Sequence, residues 1–169
     1  PVKRLPWPLI CPGPRLSKYY KLEPIMELDA TDWKIITILQ AGYENNNTIA
    51  RQLGVSEGTI RARIKRLREA GVMQIRALIN PDVLDNKQLA LVAMRVAESR
   101  LLETKAEEVA RLPNVLSVSI ASGRYDLIAE VLVDSNRGLV RFLTEELSAV
   151  EGVISSESFL MLKSYNKFV

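Results

Sequence analysis

The segment Ser56 to Gly71 holds the residues best suited to recognition chemistry. It carries Arg61, Arg63, Lys65, Arg66 and Arg68 against only Glu57 and Glu69. A rod with that excess of cations attracts phosphate oxygens and releases their condensed counterions. Ser56 suits a helix N-cap, Ile60, Ile64 and Leu67 recur at the i, i+4, i+7 spacing of one buried stripe, and Gly71 stands where a C-terminal cap belongs. An isolated basic amphipathic helix is as compatible with a solvated protein surface as with a polyanion, so its context has to decide. Catalysis is poorly provided for. There is no histidine and Cys11 is the only cysteine, which removes an intrachain disulfide, a Cys/His zinc centre and histidine acid–base chemistry. No catalytic residue, metal ligand or cofactor is assigned.

The elements upstream place the basic helix second in a pair. Asn47 to Leu53 reads as a short helix with Asn47 as N-cap and Ile49 and Leu53 turned inward. Gly54-Val55-Ser56 breaks it before the basic helix begins. A helix, a short glycine turn and a basic helix form the helix-turn-helix pattern. Before it, Asp29 to Leu39 reads as a supporting helix capped by Asp29, with Trp33, Ile36 and Leu39 or Ile38 as its apolar stripe. Ala50 is the small residue a close helix crossing requires, and Val55 plugs the turn.

Composition is that of an ordinary globular chain, 47% apolar and 25% charged, so a packed core is expected. The charge is unevenly spread. Asp29 to Asn80 holds eight Lys or Arg against five Asp or Glu, and Pro81 to Val169 ten against thirteen. A positive first half fits a polyanionic partner, while the negative second half argues against the whole molecule coating nucleic acid. No apolar run approaches the roughly 20 residues a membrane span needs. Residues 1–25 read as a Pro-rich basic leader, with six of the eight prolines and five cations before residue 25, and Met26-Glu-Leu-Asp reads as a natural start.

Val72 to Pro81 reads as a strand leaving the head, within a strand and linker region spanning residues 74–88. Beyond it the pattern is βαββαβ: strand Leu89 to Val96, helix Leu101 to Leu112, strand Val115 to Ala121, strand Tyr125 to Asp134, helix Arg137 to Val150 and strand Val153 to Ser164. The second helix would turn Leu139, Leu143, Leu147 and Val150 inward. Two such halves build a ferredoxin-like sheet with both helices on one face. The central strands are apolar on both faces: Val92, Met94 and Val96 alternate with Leu91 and Ala93, and Leu127, Ala129, Val131 and Val133 with Ile128 and Leu132. The face without helices would be too apolar for a monomer, which predicts a homodimer through the sheet. An RNA-binding sheet of the same order needs stacking aromatics on its central strands, and here only Tyr125 is available.

The polar feature of the second half is Ser122-Gly123-Arg124-Tyr125-Asp126. It is either a plain hairpin turn, for which Gly and Asp are usual, or a ligand loop. In the second case backbone N–H groups at Gly123 receive a carboxylate, Tyr125 forms a wall, and Arg124 or Asp126 supplies charge.

Leu28-Asp29-x-x-Asp32-x-x-Ile35-Ile36, Ile49-Ala50-x-x-Leu53-Gly54-Val55-Ser56, Arg63-Ile64-Lys65-Arg66-Leu67-x-x-x-Gly71-Val72-Met73, Asn80-Pro81 and Gly123-x-Tyr125-Asp126 together resemble the Lrp/AsnC, or feast/famine, transcription regulators. The resemblance runs from about Met26 to Lys163. It implies an α+β chain: a winged-type helix-turn-helix domain over residues 26–73 and a ferredoxin-like (RAM/ACT-like) effector-binding and oligomerisation domain over residues 89–169. It also implies dimers that assemble into tetramers or octamers, amino acids as effectors, and a cytoplasmic, nucleoid-associated protein.

Carried over by position, Ser56, Glu57, Gly58, Thr59, Arg61, Ala62 and Lys65 would face the major groove. Arg61 would be placed to pair with a guanine, and Thr59 to meet a base or a thymine methyl. Arg63, Lys65, Arg66 and Arg68 would hold phosphates, with a structural ion pair as the alternative for Arg63. The resemblance places an effector pocket at Gly123, Arg124, Tyr125 and Asp126, with Asp126 on the α-amino group. The function expected is a sequence-specific, effector-modulated regulator of transcription. Two other readings are a nucleoid-compacting architectural protein and an amino-acid-sensing regulatory subunit of an enzyme.

Overall fold

The computed structural model describes residues 26–169, which divide into two compact units, residues 26–76 and Ala77–Val169. The Pro-rich leader and Cys11 lie outside the described residues.

The first unit is three helices, α1 (Ala30–Ala41), α2 (Asn46–Leu53) and α3 (Glu57–Glu69). Each starts at a side-chain cap. Asp29 Oδ1 accepts from the backbone N–H of Thr31 and Asp32 at 2.8 Å, and Asp32 Oδ2 accepts from Asp29 N–H at 3.2 Å, a reciprocal capping box. Asn45 caps α2 by accepting from Thr48 N–H at 2.9 Å, so the cap lies two residues before Asn47. The α2–α3 turn passes through Gly54 at φ 67°, in the left-handed region that a residue without Cβ enters cheaply. After α3 the chain closes a Schellman motif: Gly71 N–H donates to Arg68 O at 3.1 Å and Val72 N–H to Leu67 O at 3.0 Å, with Gly71 at φ 72°.

The core of this unit is Ile35, Ile49, Ala50, Ile60 and Ile64, with Ile38, Leu39, Leu53 and Val55 packed against it. This corrects the expected stripe of α1. Trp33 is 56% exposed, and Asp32 and Ile35 are the residues turned fully inward. The buried position of Asp32 sets the phase, because its carboxylate is drawn toward α3.

The second unit runs β1 (Lys87–Val96), α4 (Leu102–Ala110), β2 (Val115–Ile120), β3 (Leu127–Asp134), α5 (Ser135–Arg141) and β4 (Val153–Leu160). Its four strands form one antiparallel sheet in the order β2-β3-β1-β4. That is the ferredoxin-like arrangement. Ala90, Val92, Met94 and Val96 of β1 and Leu127, Ala129, Val131 and Val133 of β3 join Val109, Phe142, Leu147 and Val150 in the helix-side core. On the other face Leu89 lies opposite Leu132 and Ala93 opposite Ile128.

Several boundaries differ from those expected. The segment Val72 to Pro81 is not a strand, because no neighbouring ladder runs along it. Its strand-like contact is Ile79, which exchanges backbone hydrogen bonds with Val169 at 2.9 and 3.0 Å. β1 begins at Lys87, two residues early, and β4 ends at Leu160. α4 is shorter than expected, following a 3₁₀ turn at Ser99–Leu101. β3 starts at Leu127, so Tyr125 and Asp126 precede the strand. The helix expected over Arg137 to Val150 begins at Ser135 and is interrupted: α5 gives way to a π turn at Phe142–Glu146 and a 3₁₀ turn at Leu147–Ala149.

After β4, Met161 N–H donates to Leu89 O at 2.9 Å, one pair beyond Leu160, and Lys167 Nζ lies 2.6 Å from Glu130 Oε1 on the face without helices. Leu89, Ala93 and Leu132 are nearly buried within the chain, while Leu91 and Ile128 stay half-buried and Phe159 is exposed. The open apolar face is smaller than strand alternation alone predicts.

Candidate functional site

Ser56 sets the start of α3: its Oγ accepts from Thr59 N–H at 3.1 Å and lies 2.8 Å from Thr59 Oγ1. With the helix fixed there, Ile60, Ile64 and Leu67 are buried, while Gly58, Thr59, Arg61, Ala62, Lys65, Arg66 and Arg68 are exposed. Glu57 is half-buried and takes Arg61 Nη2 at 2.6 Å, and Lys65 Nζ stands 3.9 Å from Glu69. Both are i, i+4 pairs at the surface, which hold their partners weakly and release them to a stronger anion. Arg68 has no ion pair among the described residues.

Arg63 and Arg66 are engaged differently. Arg63 Nη1 bridges Asp29 Oδ2 at 2.6 Å and Asp32 Oδ1 at 2.8 Å, and Arg66 Nη2 reaches Asp32 Oδ2 at 2.5 Å. Asp32 is fully buried, and a buried carboxylate is tolerated when its oxygens are bonded to cations. Hydrogen bonding from Asp32 N–H, and then the Arg63 guanidinium, holds the Asp29 carboxyl below the usual carboxylate range. The same contacts, Asp29 first, raise Arg63 above its ordinary value. Of the alternatives open for Arg63, the structure has the ion pair, and it draws Arg66 into the same cluster. The cluster pins α3 to α1 and so fixes which face of α3 is presented. Sequence reasoning passed over Arg51, an exposed cation in the last turn of α2 without an ion pair among the described residues. Its signal was available, since the first helix of such a pair crosses the backbone of DNA.

The hairpin residues Gly123, Arg124, Tyr125 and Asp126 join β2 to β3. Gly123 and Arg124 are exposed and Tyr125 and Asp126 half-buried, and the Arg124 guanidinium lies 5.4 Å from the Tyr125 ring centroid, within cation–π range. Asp126 is tied to the end of β1. Its Oδ2 accepts from Val96 N–H at 2.8 Å, its N–H donates to Met94 O at 2.9 Å, and its carbonyl accepts from Ala121 N–H at 2.9 Å. It thus continues the β1–β3 ladder with a side chain where the β1–β4 register shifts at Arg95/Val96. A shallow recess of about 120 Å³ lies at the opposite end of β1, lined by Pro81, Lys87, Leu89 and Met161, so it does not coincide with the hairpin residues. Among the described residues no group of three His, Cys, Asp or Glu side chains is placed to hold a metal, and no helix is long and apolar enough to cross a membrane.

Two family models match the chain: the AsnC-type helix-turn-helix domain over residues 28–68 and the Lrp/AsnC ligand binding domain over residues 89–168. An HTH-type transcriptional regulator of Pyrococcus furiosus is 36% identical over 79% of this chain and 91% of its own. The leucine-responsive regulatory protein of Rhizobium meliloti is 30% identical over 82% of this chain and 91% of its own. Among solved structures, a transcriptional regulator of Neisseria meningitidis in complex with L-Met superposes with a TM-score of 0.64 over 84% of this chain and 94% of that one, at 24% identity.

Proposed function

The chain belongs to the Lrp/AsnC family of transcription regulators, and from that premise we propose that it binds specific DNA sites as a homodimer and that a small amino acid at the Gly123–Asp126 hairpin modulates its assembly and DNA binding. The observation that carries the DNA half is the exposed face of α3. Gly58, Thr59, Arg61, Ala62 and Lys65 stand clear of the core on a helix whose orientation is held by the buried Asp32 cluster. Arg61 is the base reader, exchanging Glu57 for a guanine edge, and Thr59 meets a neighbouring base. Ser56 and Glu57 set the approach of the helix end. Lys65 and Arg68 hold phosphates, joined by Arg51 from α2.

The effector half draws support from the ligand-binding domain and from the relatives. One is a leucine-responsive protein and one similar structure contains L-Met. The homodimer joins through the face carrying Leu91, Ile128 and Phe159, and dimers assemble into tetramers or octamers. The protein acts on chromosomal DNA in the cytoplasm and catalyses no reaction.

Selection of genomic fragments by purified protein at about 0.15 M salt, where loose phosphate binding is weakened, tests this with and without a pool of the twenty amino acids. A symmetric motif whose enrichment changes with the pool is expected. Binding without a motif would point to an architectural protein, and no binding to a regulatory subunit of an enzyme.

A further inference from the structure

The end of the sheet nearest the hairpin carries a charge pattern that the DNA-binding half does not use. Arg95 is the exposed residue of β1, flanked by Met94 and Val96, which are turned into the core. It therefore points from the face without helices. Ser155 of β4 lies opposite it on one side. On the other side Leu127 pairs with Met94, so Asp126, the residue before, stands level with Arg95. Arg95 nevertheless forms no ion pair among the described residues, and Asp126 gives its Oδ2 to Val96 N–H. Asp126 Oδ1 has no partner among the described residues. Two residues before Asp126, Arg124 lies over Tyr125 and likewise lacks a carboxylate partner among the described residues. Glu157, one pair further along β4 and opposite Ala93, is an exposed acidic side chain on the same face.

Two unpaired guanidiniums therefore share one sheet end with a carboxylate that has one oxygen to offer. Guanidinium is the side chain suited to bidentate carboxylate recognition. We propose that Arg95 and Arg124 form a double carboxylate site, so that the effector is an acidic amino acid, with one carboxylate on each arginine and its ammonium on Asp126 Oδ1 and Glu157. The inference rests on the effector reading above and gives it a ligand class. Arg95 is the member that the hairpin motif alone does not disclose, since it lies about thirty residues away and arrives through the β1–β3 pairing.

Isothermal titration calorimetry of the full chain with L-glutamate, L-aspartate, L-glutamine, L-leucine and L-lysine tests it, together with the variants Arg95→Gln and Arg124→Gln. Both arginines are exposed, so the variants should keep the fold, which a melting curve checks, and since Arg95 points from the face given to the dimer, sedimentation checks that the association state is kept. Charge-assisted hydrogen bonds make an expected preference of about tenfold or more for glutamate or aspartate over glutamine. The variant that loses the arginine on the side-chain carboxylate should abolish that preference, and the other should weaken glutamate and glutamine alike by about tenfold or more. Glutamine or leucine binding as tightly as glutamate, or two variants that both bind and prefer glutamate as the unaltered chain does, would overturn the double site while leaving the effector reading standing. Tightest binding by lysine would do the same, assigning the end to Asp126 and Glu157. If none of the five binds while DNA binding persists, and the remaining amino acids also fail, the effector reading falls with it.

Discussion

Asp32 ties the first helix to the recognition helix. It is fully buried against two arginines, and removing one partner of a buried, bonded pair typically costs about 3–5 kcal/mol. Asp32→Asn should therefore destabilise residues 26–76 by about 3 kcal/mol, read by thermal or urea unfolding. The arginines separate by the same logic. Arg68→Ala should leave melting unchanged and lower the slope of log affinity against log salt by about 1, as loss of one phosphate contact does. Arg63→Ala should instead lower the melting temperature and change the salt slope less. Asp29 adds an acid dependence. Its folded-state pKa lies below its unfolded value, so its contribution is complete above pH about 4 and is lost as pH falls through the lower, folded value. Asp29→Asn should remove that part of the acid destabilisation while leaving the rest of the melting-temperature profile against pH in place.

At the scale of elements, what is fixed locally was legible in the chain. Ser56, Asp29 and Gly71 cap their helices as their side chains or lack of one suggest, because caps depend on residues three or four positions away. Gly71→Ala places a Cβ at φ 72° and should cost about 1 kcal/mol in unfolding free energy. The α2 cap was displaced because Asn45, Asn46 and Asn47 are all competent caps, and nothing local ranks them. What depends on a distant partner was not legible. The segment Val72 to Pro81 has the alternation of a strand but, Ile79 apart, no ladder beside it. Phe142 and Leu147 are five residues apart, roughly 140° around a regular helix. The π turn at Phe142–Glu146 brings both onto the sheet, a rotation no periodicity announces. The exposed face of α3 was readable from its own periodicity, whereas the engagement of Arg66 by Asp32 was not, since it joins residues 34 apart.

For the whole molecule, the dimer proposed through Leu91, Ile128 and Phe159 makes the association state a test of the sheet face. Phe159→Glu should convert dimer to monomer in sedimentation equilibrium and weaken operator binding, because two heads engage half-sites about 10 base pairs apart or a multiple of that. β1 also gives the second unit an axis. Its last residues are stitched to Asp126, its first lie just beyond the turn at Pro81–Val83, and it is paired along both edges. A ten-residue strand of this kind spans about 30 Å, and a strand held on both sides moves as a piece. Deuterium uptake at the Val96 amide thus becomes a clock for the hairpin. It should quicken when a ligand competes for the Asp126 carboxylate and slow when the ligand clamps it, and any matching change at the Ile79 amide would show the disturbance reaching the segment that precedes the strand.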